Sequence, residues 1–478
     1  MSLVLYNTLT RRKEPFVPLV KGQAKIYVCG PTVYDYCHVG HARCYVAFDV
    51  LVRYLKDLGY AVTYVRQITD LDDKIIQRAN EQGLSCPELA ETYNRTFHED
   101  MDALGLLRPD LEPRATEHID RMIADIQGLV ERGYAYQSGG DVFYDVGRFA
   151  DYGRLSGRDL TELRAGARVE VDPNKKSPLD FVLWKQSKPG EPVWPSPWGE
   201  GRPGWHIECS AMSSHYLGAA FDIHGGGHDL IFPHHENEIA QAVPLGRGFA
   251  RTWLHNGFVQ INHQKMSKSL KNFFTIREVL ARFHPEALRL FVLSKQYRGP
   301  VDFSDEALGE MGKGLDRAYR TLKQVRDLAG PAGKAEDFPE AAEAVGRFHE
   351  AMDDDLNTAR ALGHLFEAVR ALNRLLDEGR AGKTELGSLR AWAGAVEAMG
   401  RVLGLLVRDP EAYLAERQEA ALSDSDLTPA AIEARIAERA QARAEKRWTD
   451  ADRIRGELQG RGVVLEDAGG RTRWRLES

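Results

Sequence analysis

The sequence predicts an α/β protein built on a parallel, doubly wound sheet. Residues 25–29 contain the apolar run Ile26-Tyr-Val28 and indicate a buried strand, which a Gly-Pro-Thr turn follows. Residues 41–58 carry apolar side chains at helical spacing. Residues 61–68 then alternate like a second strand, and a helix is expected to begin at Asp70, where acidic residues suit the positive end of the helix dipole. This order of strand, helix, strand and helix is typical of a Rossmann-type sheet.

The sequence after residue 114 indicates an inserted domain, a helical bundle and a linker. Residues 115–204 break the alternation and end in a Pro-, Gly- and Trp-rich stretch, which indicates an inserted connective domain before the sheet resumes near Trp205. From about residue 275 the composition shifts to Ala, Leu, Glu and Arg at helical spacing, for example over 359–373, which predicts an α-helical bundle. Residues 416–426 are polar and poorly patterned, so a linker is expected there.

A small α/β-tipped module is expected at the C-terminus. Residues 432–458 predict a charged helical pair, and residues 463–465 with 471–475 predict a small β element. Residues 431–478 hold eleven Lys and Arg against nine Asp and Glu, whereas the whole chain has a net charge of -7. Any contact with nucleic acid must therefore come from local basic patches.

Composition predicts a globular cytoplasmic protein. The 478 residues are 43% hydrophobic, which is enough to bury a large core in about two to four domains. No stretch is apolar enough to span a bilayer, and the first residues lack the features of a signal peptide. The five cysteines, an odd number without framework spacing, favour reduced thiols.

A possible metal site combines His234 and Glu238 with two distant cysteines. The four-residue spacing after Pro233 suits the first turn of a helix, where both side chains leave one face. Cys29 and Cys209 would add two thiolates, and zinc accepts such a mixed set of ligands. A lone cysteine is more often a small buried residue, and these spacings differ from those of a compact zinc module, so the metal site depends on further motifs.

Two short motifs suit the binding of phosphate. His38-Val-Gly-His41 lies where a strand turns into a helix, so backbone N–H groups and both imidazoles can face an anion. Lys265-Met-Ser-Lys-Ser269 follows a strand-like segment and offers two mobile positive charges, Lys265 and Lys268. Taken singly, the first motif could cap a helix and the second could be a solvated turn.

Together, and in this order, the two motifs resemble the signatures of class I aminoacyl-tRNA synthetases. The metal set narrows the resemblance to the cysteinyl-tRNA synthetases, which the chain matches at Cys29, at Gly204-Trp-His-Ile-Glu-Cys209 and across 222–238. Segments 355–362 and 448–455 extend the resemblance over nearly the whole chain.

The resemblance implies one zinc ion per chain, held by Cys29, Cys209, His234 and Glu238, to which the thiolate of substrate cysteine is added. Zinc prefers a thiolate to a hydroxyl and lowers the pKa of the thiol. A cavity alone separates serine from cysteine poorly, because hydrophobic fit supplies only about 1–3 kcal/mol per methylene-sized difference. Metal binding would therefore select cysteine without an editing site.

The implied reaction joins cysteine to AMP and then to the terminal ribose of tRNA(Cys). His38, His41, Lys265 and Lys268 would surround the phosphates of ATP, which is expected to carry Mg²⁺. By similarity, further contacts to the amino acid would come from Gly30, Thr32, Thr69 and Trp205, and contacts to the adenosine from Gly227, Asp229 and Val259. Trp205 could equally belong to the core, and Thr69 could be an N-cap for the following helix.

The resemblance also implies how the chain is divided and what it binds. The implied domains are the first half of the Rossmann catalytic domain (1–114), the connective insertion (115–204), the second half with the zinc site and the Lys-Met-Ser-Lys-Ser loop (205–275), the stem-contact region and anticodon-side bundle (276–415), a linker (416–426) and an anticodon-binding module (427–478). The expected partners are tRNA(Cys), L-cysteine and ATP, with no membrane, and the expected state is a monomer.

Two alternatives share these motifs. One is a cysteine:glucosaminyl-inositol ligase of mycothiol synthesis, which lacks the anticodon-reading tail that residues 427–478 resemble. The other is a non-catalytic synthetase paralogue that binds zinc and cysteine. The intact histidine and lysine motifs disfavour the second alternative, and a lack of cysteine-dependent pyrophosphate exchange would favour it.

Overall fold

The structure is a computed structural model that describes residues 2–158, 173–261, 264–265, 273–380, 385–423, 428–461, 463–468 and 471–476. The strands are β1 (Val4–Asn7), β2 (Arg12–Pro15), β3 (Gln23–Val28), β4 (Ala61–Arg66), β5 (Ala135–Ser138), β6 (Asp141–Tyr144), β7 (Phe181–Gln186), β8 (Gly201–Pro203), β9 (Ala220–Gly227), β10 (Phe249–Asn256), β11 (Val259–Ile261), β12 (Gln264–Lys265), β13 (Val301–Asp302), β14 (Val463–Ala468) and β15 (Arg471–Leu476). The α-helices are α1 (Val39–Asp57), α2 (Asp73–Gln82), α3 (Cys86–Ala103), α4 (Ile119–Glu131), α5 (Trp205–Leu217), α6 (Glu236–Ala242), α7 (Ile276–Leu280), α8 (Pro285–Leu293), α9 (Asp305–Ala329), α10 (Pro339–Asp353), α11 (Thr358–Arg380), α12 (Leu386–Leu403), α13 (Pro410–Ser423), α14 (Pro429–Ala444) and α15 (Trp448–Gly460). None of these helices is long and apolar enough to cross a membrane.

A parallel sheet of four strands, in the order β10-β9-β3-β4, forms the centre of the molecule. The α/β class predicted from the sequence is therefore confirmed, and α1 begins two residues earlier than expected, at Val39. The chain leaves β3 towards β4 on one side, whereas β9 pairs on the other side. Ligands of such sheets bind at this kind of switch point, beyond the carboxyl ends of the strands.

The helix expected at Asp70 begins at Asp73. Asp72 is its N-cap, with the side chain accepting a hydrogen bond from Lys74 N at 2.8 Å. Asp70 instead accepts hydrogen bonds from the backbone and hydroxyl of Thr116, at 3.0 and 2.6 Å. The helix was predicted to begin three residues too early, because an acidic residue can either cap a helix or anchor a neighbouring turn. Local sequence does not distinguish these two roles.

The inserted segment forms an antiparallel sheet in the order β5-β6-β7-β8, with α4 beside it. The expectation that the parallel sheet resumes near Trp205 was wrong, because Trp205 opens α5 and the next parallel strand is β9. Helix α5 is buried on nearly all sides, so its sequence lacks the amphipathic pattern that marks a surface helix.

Helices α9 to α13 form the predicted bundle, and the linker expected over 416–426 is helical as far as Ser423. Contacts that the local sequence does not reveal hold this helix. The ring of Tyr413 stacks on Tyr319 with centroids 3.8 Å apart, and its hydroxyl donates to Asp316 Oδ1 at 2.8 Å. Arg417 also donates to Asp316, at 3.2 Å. Residues 424–427 lie outside the described residues.

The C-terminal module has a small core of its own. The predicted helical pair and β element are present as α14, α15 and the antiparallel hairpin β14-β15. Six apolar side chains form the core between them: Ile432, Ile436, Ile454, Leu458, Val463 and Leu465.

His284 caps α8 and packs edge-on against Tyr413 of α13, and its burial there makes the stability of the fold sensitive to pH. Burial, with help from Arg408 and Arg417, lowers the pKa of His284 from 6.5 to about 4. The folded state therefore favours the neutral ring, and its stability is complete above the unfolded pKa and falls as pH drops from about 6.5 towards 4. We expect His284→Asn, which caps α8 but does not titrate, to lessen the acid destabilisation by on the order of 1–3 kcal/mol. Urea unfolding at pH 7 and pH 5 measures this difference, and parallel losses in both proteins would contradict it.

Candidate metal centre and substrate cleft

Four separate elements bring the predicted metal ligands together. Cys29 follows β3 directly, and Cys209 lies in the second turn of α5. His234 belongs to a wide helical turn over Ile231–His235, and Glu238 lies in the first turn of α6. The spacing of His234 and Glu238 therefore spans two joined turns instead of one regular helix.

The four ligand atoms face one another in a closed space. Cys29 Sγ lies 3.8 Å from Cys209 Sγ and 3.6 Å from Glu238 Oε1. His234 Nε2 lies 3.1 Å from the same Glu238 oxygen. All four atoms lie within 4.8 Å of one another, and all four residues are buried. A single cation at the centre could contact every ligand.

The electrostatics of this cluster suit a cation. Burial raises the pKa of Cys29 well above its ordinary value and that of Cys209 to about 11, and it also raises the pKa of Glu238. Burial lowers the pKa of His234, so its imidazole is held neutral. Three potential anions without a countercharge are costly, and a divalent ion would offset that cost. Two thiols, one neutral imidazole and one carboxylate fit zinc.

His206 orients the ligand imidazole. Its Nδ1 lies 2.9 Å from His234 Nδ1, so the other nitrogen of His234 turns towards Glu238. Burial lowers the pKa of His206 to about 4, which keeps this neighbour neutral. Partners of this kind set the tautomer and direction of a metal-binding histidine.

A second, overlapping set of possible ligands was missed from the sequence. Cys29, His224, His235 and Glu238 also have ligand atoms within 4.8 Å of one another. His235 Nε2 lies 3.2 Å from Cys29 Sγ, and its Nδ1 lies 2.7 Å from His255 Nε2. The density of histidines over 222–238 was the available signal, but spacing alone did not show which rings turn inwards.

A cleft of about 400 Å³ opens beside the cluster at the carboxyl ends of the parallel strands. Cys29 lines this cleft and also belongs to the cluster, so a molecule in the cleft could reach a bound metal. The structure brings most of the predicted binding residues to the cleft wall, namely Gly30, Thr32, His38, His41, Trp205, Gly227, Asp229 and Val259.

The structure decides between the alternative roles that the sequence left open for Trp205 and Thr69. Trp205 is 37% exposed and stacks on His234 with ring centroids 4.2 Å apart, so it is not a core residue. Thr69 is not the N-cap of α2. Its hydroxyl donates to Glu208 Oε2 at 2.7 Å, and its backbone bridges Thr32, so Thr69 supports the cleft wall from behind.

Gly30 allows two backbone segments to approach closely beside the metal ligands. A Cβ atom at this position would lie 1.5 Å from the backbone oxygen of Gln67. The backbone N–H of Gly30 also donates to the side chain of Gln67 at 2.8 Å. Glycine is therefore required by packing at this wall of the cleft.

We expect Gly30→Ala to destabilise the protein by about 3 kcal/mol or more, because a backbone segment must move to admit the methyl group. Gly309→Ala is the matched control, since a Cβ atom there meets no atom within 4 Å. In helix α9 that change should add about 1 kcal/mol of stability. Thermal and urea unfolding measure both effects, and a Gly30→Ala protein as stable as the parent would contradict the expectation.

The two histidines of the first phosphate-binding motif lie at the N-terminus of α1. Their rings stack with centroids 3.9 Å apart, and the backbone N–H of His38 donates to His41 Nδ1 at 3.1 Å. Nε2 is consequently the nitrogen of His41 that carries the proton. An anion in the cleft would meet this donor and the positive end of the helix dipole. The side chain of Lys265 and all of Lys268 lie outside the described residues.

Comparison with known families agrees with this geometry. A model described as the tRNA synthetases class I (C) catalytic domain matches residues 15–313. A DALR domain model matches residues 347–407, and a model of the cysteinyl-tRNA ligase anticodon binding domain matches residues 424–475. The chain belongs to the cysteinyl-tRNA ligase family. It is thus a class I aminoacyl-tRNA synthetase by family, as the sequence motifs predicted.

Relatives of this cysteinyl-tRNA ligase family span the full chain. A cysteine–tRNA ligase of Syntrophobacter fumaroxidans is 55% identical, with 100% of each chain covered. One of Thioalkalivibrio sulfidiphilus is 56% identical, with 99% of each chain covered. Among solved structures, Mycobacterium tuberculosis methionyl-tRNA synthetase with methionyl-adenylate has a TM-score of 0.58 at 18% identity, covering 80% of this chain and 90% of that one. This last likeness concerns the fold alone.

Proposed function

We propose that the protein is a cysteine–tRNA ligase that activates L-cysteine with ATP and transfers it to the 3'-terminal ribose of tRNA(Cys). One observation carries the proposal. The buried ligand cluster shares Cys29 with the wall of a cleft that also contains His38 and His41. A thiol-selecting metal and a phosphate-binding helix terminus therefore face the same space.

Cys29, Cys209, His234 and Glu238 would hold the zinc ion. Bound there, zinc supplies a strong preference for a substrate thiolate over the hydroxyl of serine. The exposed face of Trp205 beside His234 offers an apolar surface next to the thiol position. Gly30 and Thr32 line the cleft next to Cys29, and Thr69 supports them, so these residues are proposed to orient the amino acid.

The remaining predicted residues are proposed to bind ATP with its Mg²⁺. Gly227, Asp229 and Val259 lie on the cleft wall proposed for the adenosine. The carboxylate of cysteine attacks the α-phosphate, pyrophosphate leaves, and the ribose hydroxyl of tRNA then takes the acyl group. Donors from His38 and His41, with Lys265 and Lys268, are proposed to stabilise the charge that develops on the phosphates, so no side-chain nucleophile is required.

The C-terminal module supports tRNA as the acceptor. Trp448 opens α15 with 58% of its surface exposed, and Arg447 precedes it as the N-cap residue of that helix. Exposed aromatic rings stack on unpaired bases, and arginines bind phosphates. We propose that the protein works as a cytoplasmic monomer, and light scattering of the purified chain tests the monomeric state.

The test of this function is cysteine-dependent exchange of labelled pyrophosphate into ATP, followed by a choice of acceptor. Exchange together with charging of tRNA supports the proposal. Exchange with transfer to glucosaminyl-inositol and no charging of tRNA would identify the amino-sugar ligase instead. A zinc-bound protein without exchange would identify the non-catalytic paralogue.

A further inference from the structure

Glu238 has different partners at its two carboxylate oxygens. Oε1 faces the ligand cluster, 3.1 Å from His234 Nε2 and 3.6 Å from Cys29 Sγ. Oε2 lies 2.8 Å from Nε2 of His224, a residue outside the predicted ligand set. An ionised carboxylate only accepts hydrogen bonds, so His224 Nε2 is the donor in this contact. One oxygen of Glu238 is thus available to a metal, while the other is engaged.

The sheet holds the ring of His224 in place. His224 lies on β9, opposite Trp253 on β10 and Tyr27 on β3. Its ring stacks on Trp253 with centroids 4.5 Å apart and meets Tyr27 edge-on at 5.2 Å. The side chain is fully buried. The direction of Nε2 is therefore determined by strand register and by packing on both sides.

The second ring nitrogen of His224 shows that the residue is not explained by stability alone. Nδ1 is buried and makes no hydrogen bond with any residue that the structure describes. An unsatisfied buried acceptor costs about 1–3 kcal/mol, which offsets much of the stability that the hydrogen bond from Nε2 to Glu238 contributes. A cost of this kind in a native structure calls for a functional reason.

We propose that His224 is a positioning residue that restricts Glu238 to one metal-binding oxygen, so that a coordination position stays open for the substrate thiolate. The proposal rests on the function proposed above. Carboxylates bind metals through one or both oxygens, and a donor on Oε2 disfavours the second mode. If Glu238 contributes a single oxygen, the metal has four protein ligands and can accept a fifth from the substrate. If Glu238 contributed both oxygens, the second oxygen would occupy that coordination position.

Two substitutions separate this role from a merely structural one. His224→Leu removes the donor, and His224→Gln keeps an amide N–H near the position of Nε2. Full-length protein is loaded with Co²⁺ in place of zinc, and its visible absorption is recorded with and without cysteine. Zinc affinity is measured by competition with a chelator, and the metal-free proteins are unfolded by heat.

For His224→Leu we expect zinc affinity about 10–100-fold below that of the parent, as for other partners of metal ligands. We also expect weaker visible absorption of the cobalt protein, because the second oxygen of Glu238 would raise the coordination number of the metal. Adding cysteine should then no longer change the spectrum. His224→Gln should restore both spectra. The metal-free Leu protein should unfold near the temperature of the metal-free parent, because the substitution removes the unsatisfied nitrogen but also takes the donor away from buried Glu238 Oε2.

Three results would overturn the inference. A parental cobalt spectrum and cysteine response in His224→Leu would show that the hydrogen bond is not needed. Failure of both variants to bind metal would indicate that His224 is itself a ligand. A parent protein that takes up neither zinc nor cobalt would overturn the proposed function along with this inference. His224→Asn, whose shorter amide does not reach Glu238, replaces the Leu variant if that protein does not fold.

Discussion

Cys209→Ala is expected to lose bound zinc and cysteine activation together. The thiol of Cys209 is one of the two sulfur ligands proposed for zinc, and the described residues of the cluster offer no third sulfur to replace it. Loss of a direct ligand should exceed the roughly 10–100-fold loss of metal affinity that outer partners cause. Because Ala suits the interior of helix α5, the fold should persist.

The measurement pairs metal content after gel filtration with cysteine-dependent pyrophosphate exchange. Cys86→Ala is the matched control, since Cys86 is a half-buried thiol at the start of α3 and lies outside the cluster. It should retain one zinc per chain and normal exchange. Stoichiometric zinc in Cys209→Ala would contradict the assignment of Cys209 and would favour the overlapping set that His224 and His235 complete.

His41→Ala is expected to slow adenylate formation by about 10²–10³-fold while leaving zinc bound. The hydrogen bond from the His38 backbone to His41 Nδ1 leaves Nε2–H as the donor of this ring in the cleft. The substitution removes a fixed donor at the helix N-terminus, where the α-phosphate and the leaving pyrophosphate are proposed to develop charge. The ligand cluster does not include His41, so metal content should not change.

Pre-steady-state formation of adenylate under saturating ATP and cysteine measures this effect. His41→Gln is the matched variant, because its amide can place an N–H near the position of Nε2, and it should recover part of the rate. Normal adenylate formation in His41→Ala would show that the motif serves only to begin the helix. Loss of zinc in the same variant would show that the change is structural.

Local features of the fold could be predicted from the sequence. The strand before Cys29, the turn at Gly30 and helix α1 depend on apolar spacing and on residues with strong turn preferences. The strand and the helix were therefore predicted to within two residues of their observed bounds. The helical extent of α13 was missed, because it depends on contacts of Tyr413 with Asp316 and Tyr319, which are about a hundred residues away in sequence.

The candidate site was predictable for a different reason. Cys29 and Cys209 are separated by 180 positions, so no spacing rule joins them, and the resemblance of the motifs brought them together. His206 and His224 were not identified as partners of ligands. His224 alternates within a strand like a core residue, and only the register of β9 between β3 and β10 turns its ring towards Glu238.

The measurement that tests the central claim most directly is transfer of labelled cysteine onto total tRNA by the purified protein with ATP and magnesium, with labelled serine in parallel. The account predicts charging with cysteine and none with serine. A zinc ion coordinates a thiolate in preference to a hydroxyl, whereas a cavity distinguishes the two side chains only by their size. Charging with serine at a comparable rate would contradict selection by the metal, and no charging despite cysteine-dependent pyrophosphate exchange would contradict tRNA as the acceptor.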